Sequence, residues 1–147
     1  MQVKKKMTAT PEEMYELLMT SLKHDIEQSI GQEIKLEEIK TGYSYSKKLM
    51  NKLGRQANAT ANLTNIEKNR AYEAAFVSAR GTNTISYTID KVDDTTIEVT
   101  YEEGYEPATA AQGVNHKVMS WFYKRSTNKK ATRLLGMMDA YLQEQRK

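Results

Sequence analysis

The sequence contains no cysteine, and among its 147 residues there are only two prolines and seven glycines. Without cysteine the chain can form neither a disulfide nor a thiolate metal site, and it has no cysteine nucleophile. No apolar run approaches the roughly 20 residues that a membrane-spanning helix needs. The basic segment at residues 2–7 is not followed by the apolar core of a signal peptide. We therefore expect a cytoplasmic protein that does not associate with a membrane.

Positive and negative charges are nearly balanced. The sequence has 22 lysines and arginines and 19 aspartates and glutamates, for a net charge of +3. So small a surplus does not indicate a nucleic-acid partner. Arg125, Lys129 and Arg133 follow one another at i, i+4 spacing, but we interpret this ridge as a solvated helix face. A chain of this length can bury roughly 70% of its unfolded surface, so we predict a single domain over residues 1–147.

The first predicted elements are a strand over residues 2–8 and a helix from Pro11 to about Ile30. Thr10-Pro11-Glu12-Glu13 is a typical helix start, because Thr10 can cap, Pro11 needs no N–H partner and Glu13 completes a capping box. Gly31 suits the C-terminal cap, and a break near Ser21 is an alternative. A short second helix is predicted around Leu36 and Ile39. Within the first of these two helices, apolar residues recur at helical spacing: Met14, Leu17, Leu18, Leu22, Ile26 and Ile30.

From Tyr43 the apolar period changes to two, which predicts five strands separated by short turns at 51–54, 67–69, 81–83 and 93–94. Connections this short favour an antiparallel meander with one buried face. Counting residues 2–8, the sheet has about six strands. We predict a loop from Glu102 to Gly113, with Glu102, Glu103 and Glu106 as solvated carboxylates.

The last predicted element is a long helix from about Val114 to Gln145. Its apolar residues before and after Ser126–Asn128 lie on different faces at 100° per residue, and the stretch between them is polar. We therefore predict a bend or a short break there; the alternative is that the two halves of the helix contact different partners. The class is α+β, in which a curved antiparallel sheet packs on a long C-terminal helix, a helix-grip fold.

The segments 10–18, 85–89 and 95–103 resemble the first helix and the late strands of the START-like superfamily of helix-grip proteins. More narrowly, residues 63–105 are similar to an uncharacterised family of small bacterial proteins known as a domain of unknown function. The resemblance extends over nearly the whole chain, and its motifs are structural. It implies a fold that can enclose a hydrophobic cavity, and it implies no reaction.

The tyrosines suggest a binding site, because five of them fall on the predicted apolar face of the sheet. A tyrosine offers an apolar ring and one hydrogen-bonding hydroxyl, which together can orient an amphipathic ligand. Ala57, Ala59 and Ala61 on a neighbouring strand would leave space opposite the rings, but the density of protein interiors favours the alternative that the rings simply fill this space. The candidate lining residues are Tyr45, Tyr72, Phe76, Tyr87, Tyr101, Val118, Trp121 and Phe122.

No catalytic, cofactor or metal signature accompanies these residues. His24 and His116 lie on different predicted helices without partners at ligand spacing, so we predict neither a metal site nor a cofactor. The leading hypothesis is a protein that binds a small apolar or amphipathic molecule between sheet and helix. The alternative is a protein-interaction or regulatory module with a filled core, including a homodimer. An exposed apolar patch around Trp121 or Met137 would favour that alternative.

Overall fold

The computed structural model describes the backbone of residues 1–50, 56–107 and 110–145, and the side chains of residues 1–48, 58–107 and 128–145. Its elements follow in the order β1 (Gln2–Thr8), α1 (Pro11–Ile30), a short 3-10 helix (Leu36–Glu38), β2 (Ser44–Met50), β3 (Gln56–Glu67), β4 (Ala71–Ser78), β5 (Gly81–Lys91), β6 (Thr96–Pro107) and α2 (Ala110–Gln145). The α+β helix-grip class, with a curved six-stranded antiparallel sheet and a C-terminal helix, is confirmed.

The strands form a single sheet in the order β1-β6-β5-β4-β3-β2, and every neighbouring pair is antiparallel. Strands β2 to β6 form the predicted meander, and β1 returns to pair with β6, placing Gln2 opposite Glu102. The two edges are therefore β1 and β2. The predicted turn at 51–54 lies outside the described residues.

Helix α1 begins and ends as its sequence predicts. The Glu13 N–H donates to Thr10 Oγ1 at 3.2 Å, and the Thr10 N–H donates to Glu13 Oε1 at 2.8 Å. At the other end Gly31 adopts a φ of 71°, and its N–H donates to the Glu27 carbonyl. The helix is continuous between these caps, so the alternative of a break near Ser21 is wrong.

Helix α2 is helical from Ala110 to Gln145, so a break at Ser126–Asn128 is also wrong. Three polar residues lower helix propensity by only a few tenths of a kcal/mol each, and Ser126–Asn128 contains neither proline nor glycine. The helix contacts β1 and β6. Ala131, Leu135 and Leu142 are buried along it, and Asp139 Oδ1 accepts the Thr8 N–H at 3.1 Å.

The prediction of a loop from Glu102 to Gly113 is wrong, because β6 continues to Pro107 and α2 already begins at Ala110. It pairs with β5 as far as Pro107, which lies opposite Gly81, and Gly104 lies opposite Thr84. The two glycines and Pro107 suggested a loop, but proline is tolerated at the end of a strand and glycine within it where another chain segment approaches closely. A Cβ atom at Gly104 would lie 2.8 Å from Thr84 Oγ1. Gly81 likewise begins β5 and does not form a turn.

The core lies between the two helices and one face of the sheet, which we call the helix-covered face. Its largest fully buried side chains come from the sheet and from both helices: Met7, Met14, Ile26, Leu63, Ile89, Ile97, Val99 and Leu135. Within the described ranges, neither helix is both long and apolar enough to cross a bilayer.

Candidate functional site

Three tyrosines form a row across the centre of the helix-covered face. Strand register places Tyr72 of β4 opposite Tyr87 of β5, and Tyr87 opposite Tyr101 of β6. Their ring centroids are 5.8 Å apart for the first pair and 4.9 Å for the second, with the ring planes tilted. All three side chains are buried. We call Tyr72, Tyr87 and Tyr101 the tyrosine row; the sequence predicted its members, and the register makes them neighbours.

Tyr45 and Phe76 lie on the same face, toward the β2 edge. Both are opposite Ala61, which is fully buried, so a small side chain separates the two rings as predicted. Ala74, also buried, lies next to Tyr72 on the same face of β4. Tyr45 is buried, and Phe76 is half-buried.

Asp25 of α1 is a central residue that the sequence analysis did not identify. Its carboxylate accepts a hydrogen bond from the Tyr45 hydroxyl at 2.9 Å and forms an ion pair with Lys47 Nζ at 2.6 Å. Lys47 Nζ also lies 5.7 Å from the centroid of the Phe76 ring, within cation–π range. The position of Asp25 between Leu22 and Ile26, both buried, was the signal that could have revealed this role.

Glu103 is a second carboxylate on this face, and its prediction as a solvated loop residue is wrong. It lies on β6, two residues after Tyr101, so both side chains point to the helix-covered face. Its Oε1 accepts a hydrogen bond from the Tyr101 hydroxyl. The remaining two carboxylates of the predicted loop, Glu102 and Glu106, also lie on β6 and are exposed.

Burial and these carboxylates raise the pKa of the tyrosines. Burial is the main cause at Tyr45, and the charge of Asp25 raises its pKa further. At Tyr72 the pKa is raised by burial, then by Tyr87 and Asp25. Burial and the nearby Glu103 raise the pKa of Tyr87 to about 12. These three hydroxyls are therefore protonated at neutral pH and available as hydrogen-bond donors.

The hydroxyls of Tyr72 and Tyr87 have no hydrogen-bond partner among the described residues, although each side chain is only 7% exposed. Tyr45 and Tyr101, by contrast, donate to Asp25 and Glu103. Buried hydroxyls in proteins are nearly always bonded to protein groups or to ordered water. Tyr72 and Tyr87 therefore need a partner from outside the described part of the chain.

The helix side of the predicted site is Val118, Trp121 and Phe122. The backbone of these residues is helical in α2, but their side chains lie outside those that the structure describes. Their contribution to the site therefore stays a prediction.

Two surface grooves are not lined by the tyrosine row itself, but one is lined in part by Asp25 and Lys47 and the other in part by Ala74 and Glu103. An open groove of about 890 Å³ runs beside the end of α1 and strands β2 to β4, and its lining is mostly polar, including Gln28, Lys48 and Asn58. A smaller groove of about 370 Å³ includes Glu73, Ser86 and Glu102. Among the described residues no three histidine or carboxylate side chains converge as a metal site would require.

An exposed apolar ridge runs along the C-terminal half of α2. Leu134, Met137 and Tyr141 are 38%, 63% and 51% exposed, and their i, i+3, i+7 spacing aligns them on one side of the helix. Lys129, Lys130 and Arg133 are exposed on the same helix. The apolar patch around Met137 is the feature that the interaction hypothesis anticipated.

Comparison with known proteins gives a family and a fold. A family model described as a domain of unknown function (DUF3284) matches residues 1–124. No curated protein matches the chain significantly.

Solved structures of several bacterial proteins share the fold. A conserved protein from Geobacillus kaustophilus superposes with a TM-score of 0.60 at 14% identity, covering 97% of this chain and 94% of that one. A protein from Mycobacterium smegmatis gives 0.60 at 13% identity, with 98% and 90% covered. One from Thermus thermophilus gives 0.60 at 9% identity, with 99% and 98% covered. At such low identities the similarity concerns the fold alone.

Proposed function

This chain belongs to the family described as a domain of unknown function (DUF3284), and we propose that it is a START-like protein that binds a small amphipathic molecule on its helix-covered face. The binding site is the tyrosine row together with Tyr45 and Phe76. Val118, Trp121 and Phe122 of α2 would close it from the helix side.

The observation that best supports this proposal is a pair of buried tyrosines, Tyr72 and Tyr87, whose hydroxyls have no hydrogen-bond partner among the residues whose side chains the structure describes. Leaving a buried hydroxyl without a hydrogen-bond partner costs about 1–3 kcal/mol of folding stability. Hydrogen bonds from a bound molecule to these two hydroxyls would therefore stabilise the folded protein. A ligand with polar groups near these hydroxyls would remove that cost. Its orientation would then be set by hydrogen bonds, and most of its affinity would come from apolar burial.

The neighbouring side chains suit the apolar part of such a ligand. Ala61 and Ala74 are among the smallest side chains on the helix-covered face, and they lie beside the rings of Tyr45, Phe76 and Tyr72. Flat rings next to small residues offer a smooth apolar surface that needs little rearrangement. Aromatic rings also bury large areas for few rotatable bonds, which limits the entropy lost on binding.

Native mass spectrometry of the purified protein tests this proposal. We expect a bound small molecule in the wild-type spectrum, and a lower occupied fraction in Tyr72→Phe and Tyr87→Phe because each variant removes one hydroxyl and little volume. Tyr141→Phe is the matched control, since Tyr141 is exposed on α2 and distant in sequence from the sheet. A ligand-free wild type, together with unchanged thermal stability in both row variants, would contradict the proposal.

A second candidate function is that of an interaction module, and the exposed ridge of Leu134, Met137 and Tyr141 favours it. Such a ridge could pack against a second copy of the chain as a homodimer, or against another protein. Analytical ultracentrifugation of the wild type and of Met137→Glu tests the homodimer. A dimer that the substitution dissociates would support this function, and a monomer at all concentrations would exclude the homodimer.

A further inference from the structure

We infer that α2 packs against α2 of a second copy of the chain, antiparallel to it, about a two-fold axis at Met137. This inference rests on the second candidate function and specifies its partner and orientation. Two features of the described part of α2 support it: the spacing of its exposed residues and the distribution of their charges.

Exposed residues of α2 follow the spacing of a helix that packs along another helix. Leu134, Met137 and Tyr141 are separated by three and four residues, and all three are exposed. Continuing the same alternation of three and four reaches Lys130 before them and Glu144 after them, which are also exposed. This is the heptad spacing of a coiled-coil seam, and at 100° per residue it confines the side chains to about 80° of the helix surface. We call these five residues the seam.

The two ends of the seam carry opposite charges, at equal distances from its centre. Lys130 lies seven residues before Met137, and Glu144 lies seven residues after it. In an antiparallel pair centred on Met137, Lys130 of each copy therefore lies level with Glu144 of the other copy, which gives two ion pairs. A parallel pair would instead place like charges together at both ends, and such charges repel. The charge pattern thus selects a second copy of the chain in antiparallel orientation.

The neighbouring charges agree with this arrangement. Among the exposed residues of 128–145, the only other charged ones are Lys129 and Arg133, and they add positive charge at the end of the helix where Glu144 of the second copy lies. Glu144 also takes part in an interaction within its own chain. An ionised carboxylate has about four acceptor positions, so Glu144 can accept a hydrogen bond from Lys130 of the second copy as well.

The apolar middle of the seam suits the same arrangement. Met137 lies level with Met137 of the second copy, and a methionine side chain adapts readily to an irregular partner. Leu134 and Tyr141 lie three residues before and four residues after the centre, so each Leu134 lies within about 1.5 Å of the level of Tyr141 of the other copy. A standard protein interface has about 20–30 residues on each side, and the seam has five, so we expect a weak dimer.

Analytical ultracentrifugation over a range of concentrations tests the charges of the seam. We expect the wild type to dimerise reversibly. Lys130→Glu should raise the dissociation constant about tenfold, because it turns both ion pairs into repulsions. The double variant Lys130→Glu/Glu144→Lys should return the dissociation constant to within about threefold of the wild-type value, because the exchange restores both pairs.

Lys129→Glu is the matched control for that experiment. It makes the same change of charge at the neighbouring exposed residue, which lies about 100° round the helix from Lys130. We expect its dissociation constant to stay within about threefold of the wild-type value. A loss equal to that of Lys130→Glu would show that net charge controls the association, and it would overturn the inference.

Single cysteines determine the orientation, because the chain contains none of its own. Met137→Cys should cross-link two copies through a disulfide under mild oxidation, since the residue lies at the two-fold axis. Lys130→Cys should not, since the two copies of that residue would lie about 21 Å apart along the helices, 14 residues at 1.5 Å each. A disulfide requires Cα atoms within about 7 Å of each other. Cross-linking of Lys130→Cys as fast as that of Met137→Cys would show a parallel pair and overturn the inference.

The outcomes separate this inference from the function on which it rests. A monomer at every concentration would overturn both. A dimer whose dissociation constant is unchanged in Lys130→Glu would overturn the seam and leave the homodimer supported. Circular dichroism checks that the variants are folded; if Lys130→Glu is not, the two cysteine variants decide.

Discussion

The carboxylate of Asp25, in the C-terminal half of α1, accepts a 2.9 Å hydrogen bond from the hydroxyl of Tyr45 on the edge strand β2. The same carboxylate pairs with Lys47, two residues further along that strand. These two polar contacts hold α1 against β2, at the edge of the sheet.

The substitution Asp25→Asn tests how much these contacts stabilise the fold. It keeps an acceptor for Tyr45 and removes the charge that pairs with Lys47. Since the Asp25 side chain is 38% exposed, solvent screens the pair, and we expect a loss of about 1 kcal/mol in the free energy of unfolding by urea.

Asp90→Asn is the matched control for that experiment. Asp90 pairs with Arg70 at 3.2 Å, but their side chains are 48% and 60% exposed. We expect a change within about 0.5 kcal/mol. Equal losses at the two positions would show that the Asp25 contacts are no stronger than an ordinary surface pair.

Two glycines should respond to alanine in opposite directions. Gly136 lies within α2, and a Cβ atom there would meet no atom within 4 Å. Gly136→Ala should raise the free energy of unfolding by about 0.5–1 kcal/mol, because alanine favours the helix. Gly81 has a φ of 153°, and its Cβ would collide with the main-chain oxygen of Glu106.

We expect Gly81→Ala to lower the free energy of unfolding by about 1–3 kcal/mol, from backbone strain and the shift of β6 that relieves the collision. Thermal unfolding of both variants measures the two effects. A stabilised Gly81→Ala would contradict the pairing of β5 with the end of β6.

The sequence was sufficient to predict this fold where the determining interactions are local. The capping box of Thr10 and Glu13 lies within four residues, and the period of two along the strands is visible without knowing their partners. Sequence reasoning failed at the end of β6, because glycine and proline usually indicate loops. Whether Gly104 belongs to a strand depends on Thr84 opposite it, and that pairing is tertiary.

The packing of α2 against the sheet can be tested with adjacent leucines. Leu135 is fully buried, so Leu135→Ala should lower the free energy of unfolding by about 2–5 kcal/mol through lost burial and a cavity. Leu134 is 38% exposed, and Leu134→Ala should cost less than about 1 kcal/mol. Chemical denaturation of both variants gives the comparison, and similar losses would contradict the placement of this half of the helix.

Alkaline pH should destabilise the fold through Tyr45, Tyr72 and Tyr87, whose pKa values are raised above the unfolded value of about 10. Below pH 10 both states keep these protons and stability is unaffected. As pH rises above about 10 the unfolded state loses them first, so stability falls by up to about 1.4 kcal/mol per pH unit for each tyrosine.

In the variant Tyr72→Phe, the free energy of unfolding should fall less steeply as pH rises above about 10. The difference in slope should be the contribution of one tyrosine, up to about 1.4 kcal/mol per pH unit. Urea unfolding at a series of pH values measures it, and the variant's stability at neutral pH serves as the reference, since titration contributes nothing there. A slope identical to the wild type would show that Tyr72 titrates alike in the folded and unfolded states.

The candidate site was only partly predictable from the sequence. Alternation identified Tyr72, Tyr87 and Tyr101 as residues of one face, but their arrangement as a row depends on register between three strands. Asp25 and Glu103 were missed because a charged residue on an amphipathic helix or near a glycine usually faces solvent. Their contacts to tyrosine hydroxyls arise when helix and sheet meet.

The pairing of the first strand with the last imposes an order on folding. Gln2 of β1 is bonded to Glu102, 100 residues later, and Thr8 reaches Asp139, 131 residues later. During synthesis β1 is made before every other strand of the sheet, and its partner strand β6 is made after the rest of the meander. Closing so long a loop is entropically costly, and contacts this distant slow folding. β1 therefore cannot pair with β6 until residues 96–107 have been synthesised.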